Sequence, residues 1–153
     1  MLRTKLLAMG GAAAVALTLM APADLTSEAT PAEVIAQRKA LMDLQGATAI
    51  GIVAAMKAGD TAMVAKLAGP LSRSAGVIPS FFDKGTGSEA GKTAALPAIW
   101  EKWDDFKAAA AKLGTESAKL AEAAKEGNQA AVAAQFSALA KSCDGCHETF
   151  RAK

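Results

Sequence analysis

Residues 128–151 read NQAAVAAQFSALAKSCDGCHETFR. They show a clear helical pattern and contain the residues of the chain best suited to bind a cofactor or metal. This stretch predicts a helix from Asn128 to about Arg151, because helix formers dominate it and apolar residues recur at helical spacing. Both cysteines and the single histidine of the 153-residue sequence fall near its end, in the order Cys143, Cys146 and His147. The apolar positions of the predicted helix are Val132, Phe136, Leu139 and Phe150.

Two helices are predicted in the first half of the chain. The first runs from Pro31 to about Lys57, with Thr30 as N-cap and Glu33 completing a capping-box pattern. The second spans roughly Asp60 to Ala75. Within it, Pro70 predicts a kink or an early end, because proline has no backbone N–H to donate.

A long irregular segment, Ser74 to Ala95, separates these helices from a third one. The third helix is predicted from Pro97 to about Glu126, with Gly114 as a candidate bend. No stretch shows the alternation of a convincing strand. Four helices joined by two short turns and one long loop predict an all-α fold, an antiparallel four-helix bundle with up-down-up-down topology.

The first 23 residues have the composition of a secretory signal peptide. Arg3 and Lys5 precede the apolar stretch Leu6 to Met20, and Ala21-Pro22-Ala23 gives the small-x-small pattern that signal peptidase reads. A membrane anchor is the alternative, but a run of about 15 apolar residues is short for a hydrocarbon core ~30 Å thick. We therefore expect residues 1–23 to be removed and residues 24–153 to fold as one periplasmic domain without a stable membrane span.

The charge balance does not favour a nucleic-acid partner. Without Arg3 and Lys5, the chain carries 15 Lys and Arg residues against 15 Asp and Glu residues. Both signs are scattered, and no basic stripe is present. We expect no nucleic-acid binding.

The spacing Cys143-Asp144-Gly145-Cys146-His147 is the C-x-x-C-H pattern of covalent haem attachment. Two cysteines three residues apart project from one face of a helix, where both sulfurs can form thioethers with the haem vinyl groups. His147, four residues after Cys143, places its imidazole beneath the same porphyrin and can bind the iron. The pattern therefore predicts one covalent haem c.

Three other uses of these residues remain open at this stage. A structural zinc site needs four ligands, and two cysteines with one histidine would require carboxylates as well. A thioredoxin-like redox pair normally occurs in a βαβ context, which is not predicted here. A plain disulfide beside an incidental surface histidine is the third alternative.

On these residues the chain resembles the class II cytochromes c, whose high-spin members are the cytochromes c′. In that family the haem motif lies near the C-terminus, as Cys143–His147 does here. The stretch Arg38-Lys-Ala-Leu-Met42 is similar to a pattern of the family's first helix. Pro97-Ala-Ile-Trp-Glu101 is similar to the start of its third helix. The resemblance covers the whole chain after the signal peptide.

The resemblance implies a left-handed bundle with the haem in its interior near one end. It implies that His147 is the proximal iron ligand and that Arg151 flanks the proximal side. Met42 would face the other coordination site of the iron, and Arg38 would lie near a haem propionate. The alternatives are a core-filling Met42 and solvated Arg38 and Arg151 side chains.

Two functions follow from the two branches of this family. If Met42 binds the iron, the haem is six-coordinate and low-spin, and the protein is an electron carrier for periplasmic redox proteins. If the site stays vacant, the iron is five-coordinate and high-spin and binds nitric oxide or carbon monoxide. A non-haem helical binding module is a remote alternative. We expect no enzyme, because no second histidine or paired-carboxylate site is found.

The first helix also predicts self-association. Its apolar residues cover a broad part of its circumference, which suits a helix that faces both a core and a partner subunit. Together with the family resemblance, this predicts a homodimer.

Overall fold

A computed structural model describes residues 28–153, and their regular structure is almost entirely helical. The predicted signal peptide, residues 1–23, lies outside the described residues. The helices are α1 (Pro31–Lys57), α2 (Thr61–Gly76), α3 (Ala98–Glu101), α4 (Trp103–Lys125) and α5 (Gln129–Phe150), with a short 3-10 helix at Ile78–Phe81.

The start of α1 shows the predicted capping box. The backbone N–H of Thr30 donates to Glu33 Oε2 at 2.7 Å, and the backbone N–H of Glu33 donates to Thr30 Oγ1 at 3.4 Å. The N–H of Thr30, together with the Thr30 hydroxyl, which donates to Glu33 Oε2 at 2.7 Å, lowers the pKa of the Glu33 carboxyl. After the helix, Gly59 has a φ of 71°, a left-handed conformation that glycine adopts without steric cost and that ends the helical path.

The predicted span of the second helix is confirmed, since α2 runs from Thr61 to Gly76, and Pro70 does not end it early. Proline cannot donate to the carbonyl four residues earlier, which belongs to Lys66. Both residues are exposed, so water can bond this carbonyl instead. The missing hydrogen bond therefore faces solvent, where its loss costs least.

The single third helix predicted from Pro97 to Glu126 is divided at Lys102, whose φ of −119° and ψ of 50° leave the helical region. In a continuous helix, Trp100 and Trp103 would share a face. The break separates them. The indole N–H of Trp100 donates to the carbonyls of Phe82 at 2.9 Å and Asp83 at 3.2 Å, whereas Trp103 packs on Phe106 with ring centroids 5.7 Å apart.

The four long helices form the predicted bundle. The short turns that link α1 to α2 and α4 to α5 make each pair antiparallel neighbours, and α2 packs most extensively on α4. By contrast, α1 and α5 pack against each other at only a few positions. Within residues 28–153, none of the helices combines the length and hydropathy that crossing a bilayer requires. The core contains the fully buried side chains of Ile52, Val64, Ile99, Leu120, Val132 and Leu139.

Two valines provide a matched test of this core. Val64 on α2 is 0% exposed, and Val77 at the end of α2 is 48% exposed. We expect Val64→Ala to lower the free energy of unfolding by about 2 kcal/mol, because it removes buried methyl groups and leaves a cavity. Val77→Ala should change it by less than about 0.5 kcal/mol. Urea denaturation of both variants checks this, and equal losses would contradict the placement of Val64.

Candidate haem site

The motif cysteines lie on the face of α5 that packs against the bundle. Cys143 and Cys146 are half-buried, contact the hydrophobic core and are both free thiols. Along this face the cysteines lie between Leu139 and Phe150, which are 1% and 6% exposed, and the four residues are three or four positions apart. The helix thus presents two sulfurs toward the interior one turn apart, as the sequence predicts.

Burial raises the pKa of both thiols, and the nearby Asp144 carboxylate raises that of Cys143 further. At neutral pH the groups are therefore protonated. A redox-active pair of the thioredoxin kind has a lowered thiol pKa, so these surroundings do not favour that alternative. Among residues 28–153, no three or more His, Cys, Asp or Glu side chains lie together as a metal site.

His147 is half-buried one residue after the second cysteine. Burial lowers the pKa of its imidazole, and the positive charge of Arg151 lowers it further, while Asp144 opposes both effects. The ring is therefore neutral at pH 7. A neutral imidazole has an unshared electron pair on one nitrogen, which is the state that a metal requires.

The chain after α5 is tied to the long loop. The N–H of Leu96 donates to the carbonyl of Phe150 at 3.0 Å, and the N–H of Ala152 donates to the carbonyl of Ala94 at 2.8 Å, which forms an isolated antiparallel bridge. Arg151 lies within this bridge and is exposed, and its N–H donates to the carbonyl of His147 at 3.1 Å. The end of the histidine-bearing helix is thereby fixed.

On α1, Met42 and Arg38 occupy successive turns that face the interior. Met42 is half-buried against the same hydrophobic core that the two cysteines contact. Arg38 is only 3% exposed, so the alternative of a solvated arginine is wrong. Its guanidinium donates to Thr86 Oγ1 at 3.0 Å and to Thr93 Oγ1 at 2.7 Å.

No pattern in the sequence pointed to Thr86 and Thr93 as partners of Arg38. Both lie in the irregular segment before α3, and they are 48 and 55 residues from their arginine partner. Threonines in a loop show no periodicity, and no local pattern marks a partner so distant in the chain. Only the folded loop brings them to Arg38.

Comparison with known proteins identifies the family. The sequence matches the Cytochrome C′ family over residues 33–151. The chain belongs to this family. Cytochrome c-556 of Agrobacterium fabrum is 40% identical over 124 residues, which span 78% of this chain and 81% of that protein.

Solved cytochromes c′ have the same fold. The structure from Thermochromatium tepidum has a TM-score of 0.75 at 27% identity, with 83% of this chain and 100% of that one covered. A second cytochrome c′, described as having a ligand-controlled dimer dissociation, matches with a TM-score of 0.75 at 26% identity and covers the same shares. Cytochromes c′ carry one covalent haem c.

The residues of this cytochrome fit such a group. Two protonated thiols lie one turn apart on α5, followed by a neutral imidazole. The helices α1 and α5 make few close contacts with each other. On their inner sides they carry the half-buried Met42 and the half-buried cysteines, respectively. Arg38 adds a buried cation suited to a carboxylate such as a haem propionate.

Proposed function

We propose that this cytochrome is a periplasmic electron carrier whose haem iron is bound by His147 and Met42. The observation that carries the proposal is the placement of Met42, half-buried on α1 against the same core as Cys143 and Cys146. When bound, the haem would supply a one-electron ferric–ferrous couple, and its ligation by His147 and Met42 would raise its potential.

Each of the chain's own groups has a defined task. The thiols of Cys143 and Cys146 would hold the haem through two thioethers, each made by adding one S–H across one vinyl double bond with nothing released. The neutral imidazole of His147 offers its free nitrogen without first losing a proton, because burial and Arg151 lower its pKa. The Met42 thioether is uncharged and can enter an apolar interior at little cost.

The location and partners of the carrier follow from the N-terminal sequence. Residues 1–23 have the pattern of a secretory signal peptide, which supports a periplasmic protein that exchanges electrons with other periplasmic redox proteins. The surface of such a protein serves docking and transfer rather than chemistry on a substrate. We therefore propose a carrier and not an enzyme.

The alternative function is the binding of a diatomic gas such as nitric oxide or carbon monoxide. The same burial of Met42 would serve it if the thioether packed over the iron without binding it. The sixth site would then be vacant and enclosed by an apolar side chain, which controls access by size and polarity.

We also propose a homodimer formed through the outer face of α1. Leu44 and Ile50 on this helix are 61% and 73% exposed. The exposed alanines 40, 47 and 54 continue the same stripe at helical spacing. A related cytochrome c′ is described as dimeric in a ligand-controlled way, which supports a dimer here.

Covalent attachment is tested by mass. The protein exported with haem-maturation machinery should exceed the polypeptide mass by one haem, because each motif cysteine forms a thioether. The double variant Cys143→Ser and Cys146→Ser should have the polypeptide mass alone. Ser137→Ala, an exposed position on the same helix, should keep the haem. A wild-type protein without added mass would refute the haem site itself.

Iron ligation is tested by absorption spectra with and without carbon monoxide. The wild-type ferrous protein should be low-spin and unresponsive to carbon monoxide, whereas Met42→Ala should be high-spin and bind it, because the sixth ligand is lost. Met63→Ala removes an exposed methionine, 41% accessible, and should behave as the wild type. A high-spin wild type that binds carbon monoxide would favour the gas-binding alternative instead.

The dimer is tested by sedimentation at micromolar concentration. Ile50→Asp places a charge in the proposed interface, and we expect the dimer dissociation constant to rise at least about tenfold, since an unpaired buried charge is costly. Val77→Asp adds the same charge at an exposed site outside α1 and should leave the constant unchanged. A monomeric wild type would rule the dimer out.

A further inference from the structure

The guanidinium of Arg38 is a buried cation without a carboxylate partner in the described part of the chain. Arg38 is 3% exposed, and none of the ion pairs formed among residues 28–153 involves it. Burial lowers the pKa of this arginine, and the negative charge of Glu89 opposes this effect. A buried charge whose hydrogen bonds go only to neutral hydroxyls is costly, so a carboxylate hydrogen-bonded to it would stabilise it.

Thr86 presents a fixed acceptor to this cation. Its hydroxyl donates to the carbonyl of Asp83 at 2.7 Å, which commits its only proton. The oxygen can therefore only accept from Arg38 Nη1, at 3.0 Å. Thr86 itself is 3% exposed, so no water competes easily for this lone pair.

Thr93 fixes the other terminal nitrogen. Its hydroxyl oxygen accepts from the N–H of Ala95 at 3.1 Å and from Arg38 Nη2 at 2.7 Å, which uses both of its lone pairs. Ala95 also pairs with Arg151 in the bridge that follows α5. The position of Thr93 is thus tied to the end of the histidine-bearing helix.

Phe82 supports the flat side of the same group. The central carbon of the guanidinium lies 4.8 Å from the centroid of the Phe82 ring, within the range of a cation–π contact. The ring in turn packs edge-on against Phe106, with centroids 4.8 Å apart. The hydroxyls of Thr86 and Thr93 thus bond the terminal nitrogens of the guanidinium, and the ring of Phe82 packs against it.

These contacts use only part of the donors of the guanidinium, which keeps further N–H groups for another acceptor. Arg38 also lies one turn before Met42, on the side of α1 that faces the core. We infer that Thr86 and Thr93 are positioning residues that aim Arg38 at a carboxylate of the bound haem. This inference rests on the haem site of the proposed function.

A cycle of variants in the holoprotein tests whether the threonines act through Arg38. The measured quantity is the ferrous-to-ferric ratio at one fixed ambient potential. Arg38→Gln should lower this ratio by about tenfold, because a haem carboxylate loses its compensating cation and stabilises ferric iron. Thr93→Val, and separately Thr86→Val, should lower it by about threefold in the wild type and not at all in the Arg38→Gln background.

Controls separate the hydroxyl from the side-chain volume. Thr93→Ser and Thr86→Ser keep the hydroxyl and should restore the wild-type ratio. Thr115→Val, at an exposed threonine that bonds only its own helix, should change nothing. In the NMR spectrum of the holoprotein, the Arg38 side-chain N–H signals should exchange slowly with water and should exchange faster in Thr93→Val.

The outcomes distinguish this inference from the proposed function. A protein that carries no haem would defeat the proposed function before the cycle begins. If the holoprotein forms and Thr93→Val lowers the ratio equally with and without Arg38, the threonines act only on the loop and the inference is overturned. An Arg38→Gln holoprotein with an unchanged ratio, or serine variants as impaired as the valine variants, would overturn it as well.

Discussion

The register of α5 against the bundle is the constraint on which the haem site depends. Leu139, Ser142 and Phe150 are buried, and the two cysteines lie between them on the same face. A slip of one residue would rotate every side chain by roughly 100° and carry the sulfurs toward solvent. The buried hydroxyl of Ser142 is compatible with this register, because it is satisfied within α5 itself, by the carbonyl of Leu139 at 2.6 Å.

The two sides of the proposed haem site are joined by hydrogen bonds. After His147, whose carbonyl accepts from the N–H of Arg151, the carbonyl of Phe150 accepts from the N–H of Leu96. The neighbouring Ala95 pairs with Arg151 in the bridge and donates its N–H to the hydroxyl of Thr93. Thr93 then bonds Arg38, one turn before Met42 on α1. The irregular segment therefore links α5 to α1, which gives so long a loop a structural role in a small domain.

The sequence predicted those parts of the fold that depend on local chemistry. The capping box at Thr30 and Glu33 involves residues three apart, and the C-x-x-C-H spacing depends only on helix geometry, so both could be recognised from the sequence. The break at Lys102 was missed because its cause is the bonding of Trp100 to the distant carbonyls of Phe82 and Asp83.

One local sign of that break was present. Asp104 and Asp105 fall in the first turn of α4, where acidic residues favour a new helix start because they face the positive end of the helix dipole. In the sequence alone, however, the same pair also suits the solvated face of a continuous helix. The burial of Arg38 had no such sign, since its threonine partners come from a segment without periodicity.

The rotation of α1 decides what Met42 can do, and hydrophobicity alone does not set it. This helix is apolar on most of its circumference, and large side chains such as Leu44 and Ile50 are left exposed. Directed polar contacts fix its rotation instead, on the turns before and after Met42. Arg38 bonds the loop threonines, and Gln45, 8% exposed, donates to Ser74 Oγ on α2 at 3.2 Å.

Both polar groups are buried, so turning α1 would leave them unsatisfied at about 1–3 kcal/mol each, more for the charged one. A comparable rotation would cost little in apolar burial, because one apolar face would replace another. The depth of Met42 thus depends on an arginine and a glutamine that flank it. For this reason an apolar helix, which sequence patterning leaves free to rotate, can still hold the Met42 thioether toward the interior.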